Sequence, residues 1–209
     1  MLQGKDYMLN RLDYTFNIRC TYDGMNDMEW LLILTQLPQT PSSTRVTVWR
    51  RMKAAGAVNL QSSAWVLPNS ARHEEFLKEM RSFIQSQNGR AFIFTVKSQD
   101  SESDDSIVEL FNPYIDRDYT EFAESCQALL NEIDKSTEQK EFDFSELDEL
   151  EEDLQKLTSW LRKIKARDFF KSQKGDSADA LIGQCRKKLQ AFEKIVYANE
   201  GLEVPEDSD

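Results

Sequence analysis

Apolar and polar positions alternate in a recognisable order between residues 30 and 97. Trp30-Leu-Leu-Ile-Leu-Thr-Gln-Leu37 is a continuous apolar run of strand length, stopped by Pro38. Such a run predicts a strand buried on both faces and therefore central in its sheet. Pro41-Ser-Ser-Thr44 offers turn and N-cap chemistry, and Val46, Trp49, Met52 and Ala55 follow at helical spacing. Gly56 is placed to end that helix. Ala57-Val-Asn-Leu60 and Ala64-Trp-Val-Leu67 flank the polar turn Gln61-Ser-Ser63 and predict a hairpin. Pro68-Asn-Ser70 introduces a second helix with Phe76, Leu77, Met80, Phe83 and Ile84 on one face, ended by Asn88-Gly89. Arg90-Ala-Phe-Ile-Phe-Thr-Val96 alternates as a fourth strand. Strand, helix, strand, strand, helix, strand is the split βαβ, or ferredoxin-like, order, expected here over residues 29–98.

Beyond it the period changes. Residues 98–106 are only Ser, Gln, Asp and Glu, which predicts an acidic linker over 99–117. Tyr119, Phe122, Cys126, Leu129 and Ile133 then recur at three-and-four spacing behind Asp118-Tyr-Thr-Glu121, which resembles a capping box. Leu147, Leu150, Leu154, Leu157, Leu161 and Ile164 hold a heptad alternation opened by Ser145-Glu-Leu-Asp148. Lys174-Gly175-Asp176 breaks it, and Ile182, Cys185, Leu189, Phe192 and Val196 resume it. Two such helices joined by a short turn predict an antiparallel hairpin within a helical extension over 118–199. The fold class expected is thus α+β. Residues 1–28 show no sustained period and read as a poorly ordered arm or an over-extended start, and 200–209 as an acidic tail.

Composition narrows the function classes. The chain has 209 residues and a formal net charge of −11, so its long-range field opposes indiscriminate binding to nucleic acid or anionic lipid. A Debye length of about 8 Å nevertheless lets a local basic patch act independently of a distant acidic one. Cys20, Cys126 and Cys185 are distant in sequence and there is a single histidine, His73, so neither a disulfide framework nor a cysteine zinc site is expected. No run approaches the ~20 apolar residues of a membrane span, and the start lacks the apolar core of a signal peptide. The expected setting is cytoplasmic, with no membrane partner, no metal and no cofactor.

Charge is divided along the chain. Between Asp100 and Asp153 there are 20 acidic and 3 basic residues, whereas the first helix carries Arg45, Arg50, Arg51 and Lys53 with no acid among them. Ser42 and Ser43 at its start add hydroxyls and backbone N–H groups, a combination suited to a phosphate or other oxyanion. The basic stripe suits a nucleic-acid backbone. The bland alternative stays open: serines that cap and cations that solvate an outer face are the ordinary use of these residues. A second basic segment holds Arg162, Lys163, Lys165, Arg167 and Lys171 and includes Phe169-Phe170, expected to pack into the core. Those cations also complement a helix C-terminus. There is no Gly-rich phosphate loop, GxSxG, HExxH or Cys–His pair, so catalysis is not expected. A small nuclease of ferredoxin-like fold would need a metal-binding aspartate near the end of its first strand, where Thr35, Gln36 and Gln39 stand.

Four strings carry a family resemblance. Trp30 to Pro38, Pro41 to Val58, Leu60-Gln61 and Trp65-Val-Leu-Pro68 resemble the amino-terminal signature of the ChrB family of chromate-resistance regulators. Asp168-Phe-Phe170 resembles a further motif near the end of that domain. More distantly, the basic helix followed by Gly-Ala-Val and Val-Leu-Pro is similar to the middle domain of PaaX-type repressors. The resemblance implies transcriptional control of a chromate-resistance operon, with DNA as a partner. The family's second domain, associated with chromate resistance, has no counterpart in these 209 residues, which suits a stand-alone paralogue or one half of a split regulator and leaves chromate open as a ligand. The competing expectation is a non-catalytic interaction module, dimerising or docking a partner through heptad helices and sheet edge. One form of it is a homodimer joining the acidic stretch 100–153 of one copy to the basic helix of another.

Overall fold

A computed structural model of the chain describes residues 28–38 and 42–202. The arm and acidic tail read from the sequence therefore lie outside the described residues except at their inner ends. The chain divides into two compact units, Met1–Phe111 and Asn112–Asp209.

The first unit contains β1 (Glu29–Gln36), α1 (Ser42–Ala54), β2 (Val58–Gln61), β3 (Ala64–Pro68), α2 (Ala71–Ser86), β4 (Arg90–Lys97) and the opening turns of α3 (Ser101–Gln139). The sheet order is β2-β3-β1-β4 and every neighbouring pair is antiparallel. The apolar run of β1 is central, as expected of a strand buried on both faces. It pairs with β4 from Glu29↔Lys97 to Gln36↔Arg90, and with β3 from Trp30↔Pro68 to Leu34↔Ala64.

Paired residues share a face, so the register sorts the side chains. Leu31, Ile33, Trp65, Leu67 and Ala91 fall on one face, and all are buried. Lys53 of α1 lies over the Trp65 ring, which places α1 on this side. Trp30, Leu32, Leu34, Val66, Phe92 and Phe94 fall on the other. The start of α3 covers Trp30 there: the indole Nε1–H donates to Asp104 at 2.6 Å, and the ring stacks on Phe111 at a centroid distance of 6.1 Å. Asp104 also accepts from Ser98 Oγ at 2.6 Å, so this buried carboxylate has two donors.

Helices α1 and α2 both end on a residue in the left-handed region. Gly56, at φ 83°, donates to Lys53 O while Ala57 donates to Met52 O, closing α1 in a Schellman motif. In α2 the left-handed position is taken by Asn88 (φ 60°), and Gly89 has a different reason to be small. A Cβ there would stand 2.7 Å from Ile84 Cγ2 and 2.9 Å from the Gln36 carbonyl oxygen. Ser70 caps α2 at its start by accepting from the His73 N–H.

Two expectations are corrected here. The apolar face of α1 is Thr44, Val48 and Met52, not Val46, Trp49, Met52 and Ala55; Val46 is 45% and Trp49 53% exposed. Apolar residues occur on every side of this helix, so spacing alone did not choose a face. The stretch 99–117, read as an acidic linker, is helical from Ser101 onward. Asp100 caps it by accepting from Ser103 N–H at 2.8 Å, a bond that also lowers its carboxyl pKa. Its polar first turns bury only one side, through Asp104, Val108 and Phe111. Asp118 and Glu121 consequently lie inside α3 and cap nothing.

The second unit comprises the remainder of α3, α4 (Phe144–Lys165) and α5 (Lys174–Asn199). Phe144 at the start of α4 meets Tyr197 at the end of α5, and Lys165 at the end of α4 pairs with Asp179 near the start of α5, so the two helices are antiparallel. Helix α3 runs parallel to α5: Thr120 bonds Lys174, the Cys126 carbonyl accepts from Cys185, and Asp134 pairs with Lys188. The heptad residues Leu147, Leu150, Leu157, Leu161, Ile164, Ile182, Leu189, Phe192 and Val196 form the core with Phe122, Leu129 and Ile133. The cap of α4 is Asp143, accepting from Glu146 N–H at 2.9 Å, two residues before the expected Ser145. Gly175 falls inside the first turn of α5 rather than between helices.

Candidate nucleic-acid interface

With Thr44, Val48 and Met52 turned inward, helical geometry leaves Arg45, Trp49 and Lys53 as one outer row and Val46 and Arg50 as the next. Ser42, Ser43, Arg45, Arg50 and Arg51 are exposed, and Lys53 is half-buried. The first turn contains no acidic residue. Arg50 makes no ion pair among the described residues. Arg51 holds its guanidinium 4.3 Å from the centroid of Phe83, a cation–π contact that orients the group without neutralising it. The structure thus places Arg45, Arg50, Arg51 and Lys53 on one helix and adds the exposed Trp49, one of the apolar residues at helical spacing. An exposed indole among cations is a surface able to stack on a base while the cations follow phosphates.

The second basic set belongs to the other unit, and its members differ in use. Arg167 pairs with Asp118 at 3.0 Å, both largely shielded, and donates through Nε to the Lys163 carbonyl at 3.1 Å. Lys165 pairs with Asp179. Arg162, Lys163 and Lys171 are exposed without an ion pair among the described residues. Five cations counted along the sequence therefore leave three for any partner. Phe169 and Phe170 are half-buried, edge to face at 6.5 Å, and stand outside the core they were expected to join.

Between those phenylalanines and Arg167 lies Asp168, which the sequence shows as part of a motif but without a role. Asp168 accepts from the Ser172 N–H at 2.9 and 3.1 Å and from the Tyr119 hydroxyl at 3.0 Å. Ser172 Oγ in turn donates to Asp116 at 2.8 Å, and Lys174 Nζ donates to Thr120 Oγ1 at 2.8 Å. Burial and the Asp168 charge both raise the Tyr119 pKa, so this phenol stays protonated as a donor. The motif Asp168-Phe-Phe170 is thus a structural tie between α3 and the α4–α5 turn. Its sequence signal was the resemblance of Asp168-Phe-Phe170 to a family motif, which does not reveal the partners Tyr119 and Ser172.

Cys126 and Cys185 are buried and reduced, and burial pushes the Cys126 thiol up to about 12, which removes thiolate reactivity at neutral pH. Among the described residues no group of three or more His, Cys, Asp or Glu side chains could hold a metal ion, and no helix is long and apolar enough to cross a membrane. A groove of 520 Å³ opens between α3 and α4, floored by Ala128, Leu129, Leu150 and Leu157. Its rim carries Glu132, Glu146, Glu149 and Asp153 against Lys156 alone.

The family model for the N-terminal part of protein ChrB matches residues 45–203. The chain belongs to that family. Within it, the chain is 30% identical over 113 residues to Protein ChrB of Cupriavidus metallidurans, a match covering 51% of this chain and 33% of that protein. The chain thus corresponds to about a third of the curated relative's length. No solved structure matches. The family match begins at Arg45, three residues into α1, and spans the Asp168 tie.

Proposed function

We propose that this ChrB-family chain is a non-catalytic, cytoplasmic regulator of chromate resistance that acts in transcriptional control by contacting DNA through α1. The observation that carries the reading is the outer face of that helix, where exposed Arg45 and Arg50 flank an exposed Trp49 and half-buried Lys53 follows at the helix end. A chain of net charge −11 binds DNA only where such a patch overrides the global field within a Debye length. Ser42 and Ser43 stand at the phosphate-facing end of the helix, and Arg51, held over Phe83, flanks it. Arg162, Lys163 and Lys171 are candidates for a weaker second contact; Lys165 and Arg167 are engaged by Asp179 and Asp118. We read the first unit as ferredoxin-like, supported by its βαββαβ element order and its β2-β3-β1-β4 sheet. A distant kinship with PaaX-type repressors belongs to the same reading and rests on Gly56-Ala-Val58 and Val66-Leu-Pro68.

The test is a band shift with DNA from upstream of the protein's own gene, titrated with salt and repeated with chromate. Retention that falls steeply as salt rises is the expected result. Folded protein that never retains DNA, even at low salt, sinks the reading. A second reading, a non-catalytic interaction module, is favoured by the acidic groove between α3 and α4.

A further inference from the structure

We propose that the groove between α3 and α4 receives helix α1 of a second copy of this chain, so that two copies associate reciprocally. Three observations meet in this assignment. The groove has an apolar floor of Ala128, Leu129, Leu150 and Leu157, and a rim in which four carboxylates face one ammonium. Asp153 is already engaged by Lys156, Glu132 by Lys135 at 2.7 Å and Glu146 by the Ser136 hydroxyl, but Glu149 is exposed and makes no ion pair among the described residues. Helix α1 offers the converse surface: apolar Val46 and Trp49, both about half exposed, bordered by Arg45, Arg50 and Lys53.

The lengths agree as well. The α4 side of the groove runs from Glu146 to Leu157, roughly 16 Å at 1.5 Å per residue, and the 13 residues of α1 span roughly 20 Å. An indole seated on leucines, with guanidinium groups reaching carboxylates on either side, is the arrangement of a helix-in-groove contact. The free Arg50 and the free Glu149 are its natural partners. Because one copy carries both halves, the same contact can be made twice between two copies, which is the reciprocal pairing proposed. The same helix is the proposed DNA contact, so DNA and the second copy compete for it. The dimer itself is measured without nucleic acid and stands or falls independently of that role.

The experiment is sedimentation equilibrium on the full chain between about 1 and 100 µM, at ionic strengths where the Debye length falls from about 10 Å to about 3 Å. The mass is expected to approach twice 24.3 kDa at low salt and to return toward 24.3 kDa as salt rises. Reversing α1 (Arg45→Glu with Arg50→Glu) or the groove (Glu149→Lys with Asp153→Lys) is expected to raise the dissociation constant at least tenfold. Mixing the two variants is expected to restore a dimer, since reversed helix then meets reversed groove. Arg50→Gln and Glu149→Gln, which disturb no buried group, are each expected to weaken association about threefold, and together by less than the product. A wild-type mass of 24.3 kDa at every concentration and salt overturns the proposal, as does a dimer indifferent to both reversals or variants that fail to rescue each other.

Discussion

The two units hold similar numbers of cations and place them differently. In the first, α1 turns Arg45 and Arg50 away from the Val48 and Met52 core beside an exposed tryptophan, while Lys53 lies half-buried over Trp65. In the second, Arg167 is fixed to Asp118, Lys165 to Asp179 and Lys188 to Asp134, while Lys174 bonds Thr120. Those pairs link α3 and α4 to α5, or α3 to the turn before it, and so serve the bundle. Cation count along a sequence therefore measures binding capacity poorly; what matters is which cations folding has already engaged.

The sharpest way to break this contrast is to invert each set and compare. Replacing Arg45, Arg50 and Lys53 together by glutamate is expected to lower DNA retention by about 100-fold or more, since each loses a phosphate contact and gains a repulsion. The same change at Arg162, Lys163 and Lys171 is expected to cost well under tenfold. Both triples lie at exposed or half-exposed positions, so thermal midpoints should stay within a few degrees. Equal losses from the two triples would erase the distinction between the units.

Asp168 tests the other side of the comparison. Asp168→Ala leaves the Tyr119 hydroxyl and the Ser172 N–H without their acceptor, and a cost of about 2–3 kcal/mol in unfolding free energy is expected by denaturant titration. DNA retention at a temperature where the variant is folded should be unchanged. A drop in retention equal to that of the α1 triple would make Asp168 part of the binding surface.

A smaller effect concerns alkaline pH. Tyr119 is a phenol whose folded pKa is raised by burial and by the charge of Asp168. In the unfolded chain it ionises near pH 10. The stability it lends is therefore complete below that value and is lost as pH rises through the folded pKa. Cys126, pushed up to about 12, acts in the same direction from its own unfolded value near 8.5. Unfolding midpoints should accordingly fall above about pH 9, and Tyr119→Phe should make that decline shallower. An unchanged alkaline slope in the variant would mean that Tyr119 is not held protonated by the fold.

Much of this architecture was legible in the pattern of residues, and the misses have physical causes. The apolar run of β1 was unambiguous because a central strand needs apolar side chains on both faces. The heptad leucines of α4 were equally clear, since only a repeating seam keeps one helix face against its neighbours. Helix α1 was misread by rotation because Val46 and Trp49 compete with Val48 for the inner face. The start of α3 was read as linker because an acidic helix that buries one narrow side leaves almost no apolar period. The site was half legible: the cations of α1 were visible, but whether a cation is engaged depends on partners such as Asp118 or Asp179, remote in sequence. Asp168 was visible as a motif and opaque as a mechanism, because Tyr119 lies 49 residues before it.

The smallest expected effect isolates how the second unit joins its helices. Lys140 closes α3 at φ 57°, with Glu141 N–H donating to the Ser136 carbonyl and Lys140 N–H to Thr137, the same geometry that Gly56 supplies in the first unit. A side chain at this backbone position costs roughly 1 kcal/mol that glycine does not incur. Lys140 is exposed and appears in none of the ion pairs among the described residues, so its replacement sacrifices little. Lys140→Gly is therefore expected to stabilise the chain by about 0.5–1 kcal/mol, seen as a rise of a few degrees in Tm, with DNA retention and dimer mass unchanged. The counterpart Gly56→Ala should destabilise by a similar amount or more, because it forces a Cβ into the left-handed region that Lys140→Gly relieves. Opposite signs at the two positions would show that both units end these helices by one backbone device, met by glycine in one and tolerated under strain in the other.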